Sequence, residues 1–161
     1  MQTFLPYPDF EKSVRCLDYR RLGRQRTEAA TIHKALSANL LKGWQRHPAV
    51  MMWVGYNNAL ADYYNHCIDE WVRRGYNNTL EKIILSETTT DADPPWLGVE
   101  QIHASHRSNL LRKDPEYYGK FGWKESPDLP YTWPSLNTDG SISLRQGDGR
   151  NRREPVDKRV L

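Results

Sequence analysis

An all-α fold is predicted for this chain, as a compact single domain of about three main helices with an extended N-terminal arm and an irregular C-terminal extension. Apolar residues recur at intervals of three and four over three long stretches, which is the pattern of an amphipathic helix. The length of 161 residues corresponds to one domain with one core, and no internal repeat divides it. Prolines near the start and polar residues near the end distinguish the two irregular ends from the helices.

The first predicted helix runs from about residue 10 to residue 38, after an arm at residues 1–8. Two prolines in the arm each bias the preceding residue away from the helical region, so the arm is expected to be extended. Asp9 or Ser13 is the expected N-cap of the helix. Gly23 is expected to interrupt or kink it, because glycine costs roughly 1 kcal/mol relative to alanine in a helix interior.

Two more helices and a polar tail complete the predicted chain. The second helix opens at His47-Pro48, has its apolar residues at three- and four-residue intervals over residues 50–72, and ends at Gly75. The third covers about residues 99–112. The proline-rich stretch 127–134 is expected to be extended, and the polar, basic stretch beyond it to be disordered or a peripheral arm. The sequence therefore divides into a helical domain at residues 1–136 and a tail at residues 137–161.

The overall charge is modest, because 23 Lys and Arg oppose 20 Asp and Glu and give a formal net charge of +3. The total alone does not indicate a nucleic-acid-binding protein, so the distribution of charge must decide. Cys16 and Cys67 fall at apolar positions of helical patterns, which is typical of reduced thiols in a cytoplasmic protein, although a disulfide between them is the alternative. No signal peptide and no run of roughly 18 apolar residues is present, so we expect a cytoplasmic protein without a membrane partner.

The main chemical feature is the stretch at residues 17–26, where four arginines occur within seven residues. These are Arg20, Arg21, Arg24 and Arg26. A guanidinium group is planar and permanently charged, so such a surface suits phosphate oxygens. The alternative is a solvated helix face whose charges are balanced by Glu11, Asp18 and Glu28.

A second polar group lies on the third predicted helix. His103 and His106 stand three residues apart, with Arg107 beside them and Lys113 further along. Two histidines at this spacing can bind zinc, but no third ligand of a fitting type accompanies them, so we predict neither a metal nor another cofactor. A polar face that contacts phosphate or positions a base is one interpretation, and helix capping or packing is the other.

Aromatic residues and a lysine alternate at residues 117–123, beyond the third helix. Bases stack on aromatic faces while cations hold phosphates, so Tyr118 and Lys120 are candidates for contact with DNA. The same rings also fit a simpler role, in which they close the core over the third helix.

Three separated stretches together resemble one family. They are the arginine stretch Asp-Tyr-Arg-Arg-Leu-Gly-Arg at 18–24, the run at 43–77 that passes from Gly-Trp through His-Pro into a long aromatic helix, and the segment 103–120 with His-Ala-Ser and Pro-Glu-Tyr-Tyr-Gly-Lys. In order and separation they resemble the pyrimidine-dimer DNA glycosylases of the phage endonuclease V type, over roughly residues 1–123. The arm at 1–6, Met-Gln-Thr-Phe-Leu-Pro, is similar to that of a bacterial and phage branch.

The resemblance implies a nearly all-helical enzyme of DNA base-excision repair that bends duplex DNA and flips a nucleotide out of the stack. The partner would be double-stranded DNA with a flipped nucleotide, bound by a monomer. In this family the chain's own α-amine, here that of Met1, attacks the sugar C1′ and forms a Schiff base, while a carboxylate stabilises the positive sugar. β-Elimination then cleaves the backbone.

The candidate site follows from these observations. The candidate catalytic residues are Met1, His103 and His106. The candidate nucleic-acid-binding residues are Arg20, Arg21, Arg24, Arg26, Arg107, Lys113, Tyr118 and Lys120.

Two positions depart from the family pattern. The catalytic glutamate of the family follows the Tyr-Arg pair, where this chain has Arg21, and Asp18 and Glu28 are the nearby acids. Gln2 is too large for efficient removal of Met1, so the free amine would belong to Met1. The leading hypothesis is a DNA glycosylase, with abasic-site lyase activity, for a damaged or modified pyrimidine. The alternatives are a non-catalytic DNA-binding protein of this fold and an enzyme for a modified nucleotide with the two histidines in its pocket.

Overall fold

A computed structural model describes residues 1–38, 41–87 and 92–147. In this part of the chain the helices are α1 (Phe10–Arg15), α2 (Tyr19–Ser37), α3 (Pro48–Met51), α4 (Asn57–Arg73), α5 (Glu100–Lys113) and α6 (Pro115–Tyr118). Single turns of 3₁₀-helix cover Gly43–Arg46 and Gly119–Phe121, and the strands are β1 (Tyr131–Leu136) and β2 (Ile142–Gly147). No helix of the described residues is long and apolar enough to cross a membrane.

The all-α prediction is wrong, because the C-terminal part of the described chain forms an antiparallel hairpin on a mainly helical molecule. β1 pairs with β2 from Tyr131 opposite Gly147 to Leu136 opposite Ile142. The stretch read as proline-rich and extended supplies β1, and the stretch predicted as an irregular tail supplies β2. The hairpin packs on α5, where the backbone N–H of Thr132 donates to Ser105 Oγ at 3.0 Å. Residues 148–161, with the basic cluster of the predicted tail, lie outside the described residues.

The first predicted helix is divided into α1 and α2, and the break falls at residues 16–18 rather than at Gly23. Asp9 is the N-cap of α1, since its side chain accepts from the backbone N–H of Lys12. α2 runs without interruption through Gly23. A Cβ at this position would lie 3.2 Å from Cζ3 of Trp71, so glycine permits the close packing of α2 on α4.

The core lies between α1, α2, α4 and α5, and both cysteines are buried in it as free thiols. Trp53 and Trp96 are fully buried and meet edge to face, with ring centroids 5.0 Å apart. The second predicted helix is shorter than expected because turns occupy residues 52–55, and Gly55 adopts φ 84° there. α5 agrees with the third predicted helix to within a residue at each end.

The N-terminal arm contains no helix: residues 6–9 form bends, and residues 2–6 are buried between α2 and α5. On the α2 side, Gln25 accepts from the backbone N–H of Phe4 at 2.9 Å and donates to the carbonyl of Gln2 at 2.9 Å. On the α5 side, the N–H of Leu5 donates to Nδ1 of His106 at 2.8 Å. The arm is therefore fixed on both sides, and this fixes the position of its first residues.

Candidate functional site

A cleft of about 1040 Å³ opens where the arm, the start of α2, the end of α5 and β1 meet. Its cations are Arg20, Arg21, Arg24 and Lys113, and its carboxylates are Asp18, Glu28 and Asp114. Its rings are Phe4, Tyr19, His47, Tyr117, Tyr131 and Trp133. The cleft thus combines phosphate-binding charge with aromatic surface, which single-stranded or everted nucleotides require.

The first two residues, Met1 and Gln2, lie in this cleft beside a carboxylate of α2. The backbone N–H of Gln2 donates to Oε2 of Glu28 at 2.9 Å, and Met1, which is 47% exposed, lines the cleft next to it. Glu28 follows Arg24 by four residues and Arg21 by seven, so helical geometry brings these three side chains to one face. The acid next to the start of the chain is therefore Glu28.

Asp18 has a structural role at the edge of the cleft. It is the N-cap of α2, and its carboxylate accepts from the hydroxyl of Tyr118 at 2.6 Å and from Nη1 of Arg21 at 2.6 Å. Burial raises the pKa of Asp18, but the hydrogen bonds from Tyr118 and Arg21 outweigh burial and keep the pKa below its usual value. These bonds occupy the carboxylate and pair Arg21 with Asp18.

The cleft arginines differ in how far they are already paired. Arg20 and Arg24 are exposed, and within the described residues neither guanidinium forms an ion pair or a hydrogen bond. Arg21 is bound to Asp18. Lys113 also lines the cleft, and burial and the nearby Arg21 lower its pKa. Arg20, Arg24 and Lys113 are the cleft cations best placed to meet phosphate groups.

Four of the predicted DNA-contacting residues do not line the cleft. Arg26 lies over the ring of Trp71 at 3.9 Å. Arg107 is 8% exposed and pairs with Glu100 and Glu125. Tyr118 is fully buried, and Lys120 lies 3.7 Å above the ring of Tyr117. Their assignment as DNA contacts stays a prediction.

The two predicted catalytic histidines lie beneath the arm and do not line the cleft. Nδ1 of His103 is 2.8 Å from the carbonyl of Leu5, and Nε2 of His103 accepts from the N–H of Gly98 at 3.0 Å. His106 is fully buried and accepts from the N–H of Leu5. Burial, with the neighbouring His103 and Arg107, lowers the pKa of His106 to about 3. Both rings bind backbone groups and hold the arm.

The proton of His106 can be placed from its neighbours. Because Nδ1 accepts from Leu5, the neutral ring carries its proton on Nε2, which is 3.4 Å from the amide nitrogen of Gln2. A turn of that amide by 180° brings its oxygen, otherwise unpaired and buried, to this place as an acceptor. The side chain of Gln2 is thereby linked to α5, while its backbone is linked to α2.

Comparison with known proteins identifies the family. A family model described as pyrimidine dimer DNA glycosylase matches residues 1–84. The chain belongs to the pyrimidine dimer DNA glycosylase family. This membership indicates a DNA glycosylase of DNA repair and implies a DNA substrate. No curated protein and no solved structure matches the chain significantly. The matched part includes the arm, Glu28 and the cleft arginines, whereas Lys113 and β1 lie beyond it.

Sequence reasoning found the arginines of the cleft but missed several of its other residues. Glu28 was one of two candidate acids, and its spacing of four and seven residues from Arg24 and Arg21 would have favoured it over Asp18. Tyr131 and Trp133 alternate as on one face of a strand, but the prolines around them hid that pattern. No group of three metal-ligating side chains occurs in the described part of the chain.

Proposed function

We propose that this protein removes a damaged or modified pyrimidine from DNA and then cleaves the abasic sugar, using the α-amine of Met1 with Glu28 as the partner carboxylate. The observation that carries the proposal is the 2.9 Å hydrogen bond between the backbone N–H of Gln2 and Glu28, in a cleft where Arg20 and Arg24 are exposed and form no ion pair within the described residues. It places a carboxylate one residue from the proposed nucleophile. Glu28 would therefore replace the glutamate that the resembled family has at the position of Arg21.

The reaction needs a neutral amine and a negative charge near the sugar. The amine lone pair attacks C1′, the glycosidic bond breaks with its electron pair going to the base, and the departing base takes up a proton. Glu28 stabilises the positive sugar and accepts a proton from the amine. The Schiff base forms when the C1′–O4′ bond of the sugar ring breaks, with its electron pair going to O4′, which takes up a proton. Loss of a C2′ proton from the resulting Schiff base expels the 3′ phosphate, and hydrolysis then releases the amine.

The remaining charged groups bind and position the substrate in this scheme. Arg20, Arg24 and Lys113 neutralise phosphates on either side of the everted nucleotide. His103 and His106 act as positioning residues, because both rings hold the arm and their pKa values are lowered by burial. A buried imidazole that stays neutral does not supply a proton at physiological pH. The interpretation with these histidines in a nucleotide pocket therefore has no support from the cleft.

Borohydride trapping tests this proposal. The protein is incubated with a duplex that carries one abasic site, the adduct is reduced, and peptide mapping locates it. We expect a covalent adduct on the Met1 peptide that disappears when the α-amine is blocked. An adduct on Lys113 would contradict the assignment of the Met1 amine as the nucleophile. The absence of any adduct would contradict the lyase activity.

Glu28→Gln tests the carboxylate and keeps the size of the side chain. We expect base removal to fall by about 10²–10⁴-fold while duplex binding is retained. Glu81→Gln, an exposed acid away from the cleft, is the matched control and should behave as wild type. Equal rates for wild type and Glu28→Gln would refute the assigned role.

One observation favours the second function, a DNA-binding protein without chemistry. The position of the family's glutamate is occupied by Arg21, whose guanidinium is bound to Asp18. Tight duplex binding that weakens steeply with salt, without any trapped adduct, would support this alternative.

A further inference from the structure

Gln2 is held from two sides, and each side uses a different part of the residue. Toward α2, its backbone N–H donates to Glu28 at 2.9 Å, and its carbonyl accepts from the side chain of Gln25 at 2.9 Å. Any residue other than proline provides these two backbone groups. Toward α5, the residue is held by its side-chain amide, which reaches His106. The identity of residue 2 therefore matters for the contact with α5.

The side-chain amide of Gln2 ends among buried polar groups. It lies 3.4 Å from Nε2 of His106, and the hydroxyl of Tyr131 also contacts it. With the amide oxygen turned toward His106, the Nε2–H of the ring donates to it. His106 is fixed in turn by the backbone N–H of Leu5 at 2.8 Å. Gln2 is 7% exposed, so water does not replace these partners when the amide is removed.

The contacts of Gln2 leave the Met1 amine one free rotation. The peptide bond between Met1 and Gln2 is planar, so the amine nitrogen lies roughly 3–4 Å from the backbone nitrogen of Gln2 at any value of the remaining torsion. The bonds to Glu28 and Gln25 fix the N–H and the carbonyl of Gln2, and the side-chain amide fixes the direction of its Cβ. Only rotation about the Cα–C bond of Met1 then moves the amine relative to Glu28.

A nucleophile at the end of a chain needs such an anchor. First residues are poorly ordered unless contacts tie them down, and Met1 is itself 47% exposed, so its own side chain gives the amine little support. Misplacement of a reacting group by about 1 Å can cost about 100-fold in rate. The residue that follows Met1 therefore has to supply the precision that Met1 lacks.

We propose that Gln2 is a positioning residue, whose side-chain amide, held by His106, keeps the Met1 amine beside Glu28. This inference rests on the proposed function and adds to it a residue that acts through Met1 rather than on the substrate. Because the amide affects the placement of the amine, its loss slows the chemical step. Duplex binding is retained, since it depends on the cations of the cleft.

Gln2→Met tests this role, because methionine has a similar length, lacks the amide and is large enough to keep Met1 in place, which intact mass confirms. On a duplex with one abasic site, single-turnover borohydride trapping should slow by about 10- to 100-fold, while the dissociation constant of the duplex stays within about twofold of wild type. Gln101→Met is the matched control, because Gln101 is exposed on α5 and does not line the cleft. Unchanged trapping, or a loss of binding as large as the loss of rate, would overturn the proposal.

His106→Asn removes the same contact from the other side, and it keeps the proposal testable if Gln2→Met does not fold. Asparagine can accept from the N–H of Leu5 in place of Nδ1, but it is too short to reach Gln2. Trapping should slow to a similar extent, and the double variant should be no slower than the slower single variant, because both changes remove one contact. Additive losses would overturn the action through His106. Failure of the wild type to give an adduct on the Met1 peptide would contradict the proposed function instead.

Discussion

Two polar regions lie on opposite sides of the N-terminal arm, and they use the same kinds of residue in opposite ways. In the cleft, Arg20 and Arg24 are exposed and unpaired within the described residues. Beneath the arm, Arg107 bonds to two glutamates and to the carbonyl of Pro6, and the imidazole of His106 is fully buried. Residue type alone therefore does not identify a binding site, and what distinguishes the cleft is that Arg20 and Arg24 in it are exposed and form no ion pair within the described residues.

The largest difference between the two regions is expected when an arginine in each of them is replaced by alanine. Arg107→Ala leaves the half-buried Glu125 without its cation and should lower the free energy of unfolding by about 3–5 kcal/mol. Arg24→Ala should change it by less than about 0.5 kcal/mol, because its guanidinium is exposed. Chemical denaturation measures both. Similar losses of unfolding free energy in the two variants would show that the contacts of Arg107 do not stabilise the fold.

The pH dependence of stability tests the neutral state of His106. Its pKa is about 3 in the folded protein and near 6.5 when unfolded, so between these values the unfolded chain binds the extra proton. Stability should therefore fall as the pH drops below 6.5, and this group should contribute a loss of about 2 kcal/mol at pH 5. Urea denaturation at pH 7 and pH 5 should show a smaller difference for His106→Gln than for wild type. The same pH dependence in His106→Gln and wild type would mean that folding does not lower the pKa of His106.

The smallest effects are expected from single phosphate contacts. Arg20→Ala and Arg24→Ala should each weaken duplex binding and reduce the slope of log K against log salt by about one contact. Arg26→Ala is the control on the same helix, because Arg26 lies over Trp71 and donates to Asn78 at 2.8 Å. Fluorescence anisotropy across a salt series gives the slopes. An unchanged slope in both test variants, or a reduced slope in the control, would place DNA elsewhere.

The sequence predicted the features that depend on local geometry. Helix periodicity alone placed α5 and the end of α2, and the arginine cluster that it aligned does supply three cations of the cleft. The roles of His103 and His106 could not be predicted in this way, because their partners lie in the arm, 98 and 101 residues away in sequence. The same holds for β1. Its pairing with β2 depends on contacts that are not local in sequence, and the prolines around it make a strand a poor prediction.

The indole Nε1 of Trp133 is buried and has no hydrogen-bond partner within the described residues, and this was beyond prediction for a different reason. A polar group is unsatisfied only when none of the atoms around it is a hydrogen-bond partner. This can be judged only when the positions of all its neighbours are known. Sequence patterns report which groups can bind, whereas only the assembled fold reports which of them are still free.

The glycine at position 23 also limits how this protein can be engineered. Replacing glycine by alanine within a helix is a common route to higher thermal stability. Here the added methyl group would meet the indole of Trp71 at 3.2 Å, so the indole or one of the two helices α2 and α4 would have to shift by a few tenths of an ångström. Since one of those helices carries both the guanidiniums and the carboxylate that face the start of the chain, a gain in helix propensity would be traded against the spacing of the reactive groups.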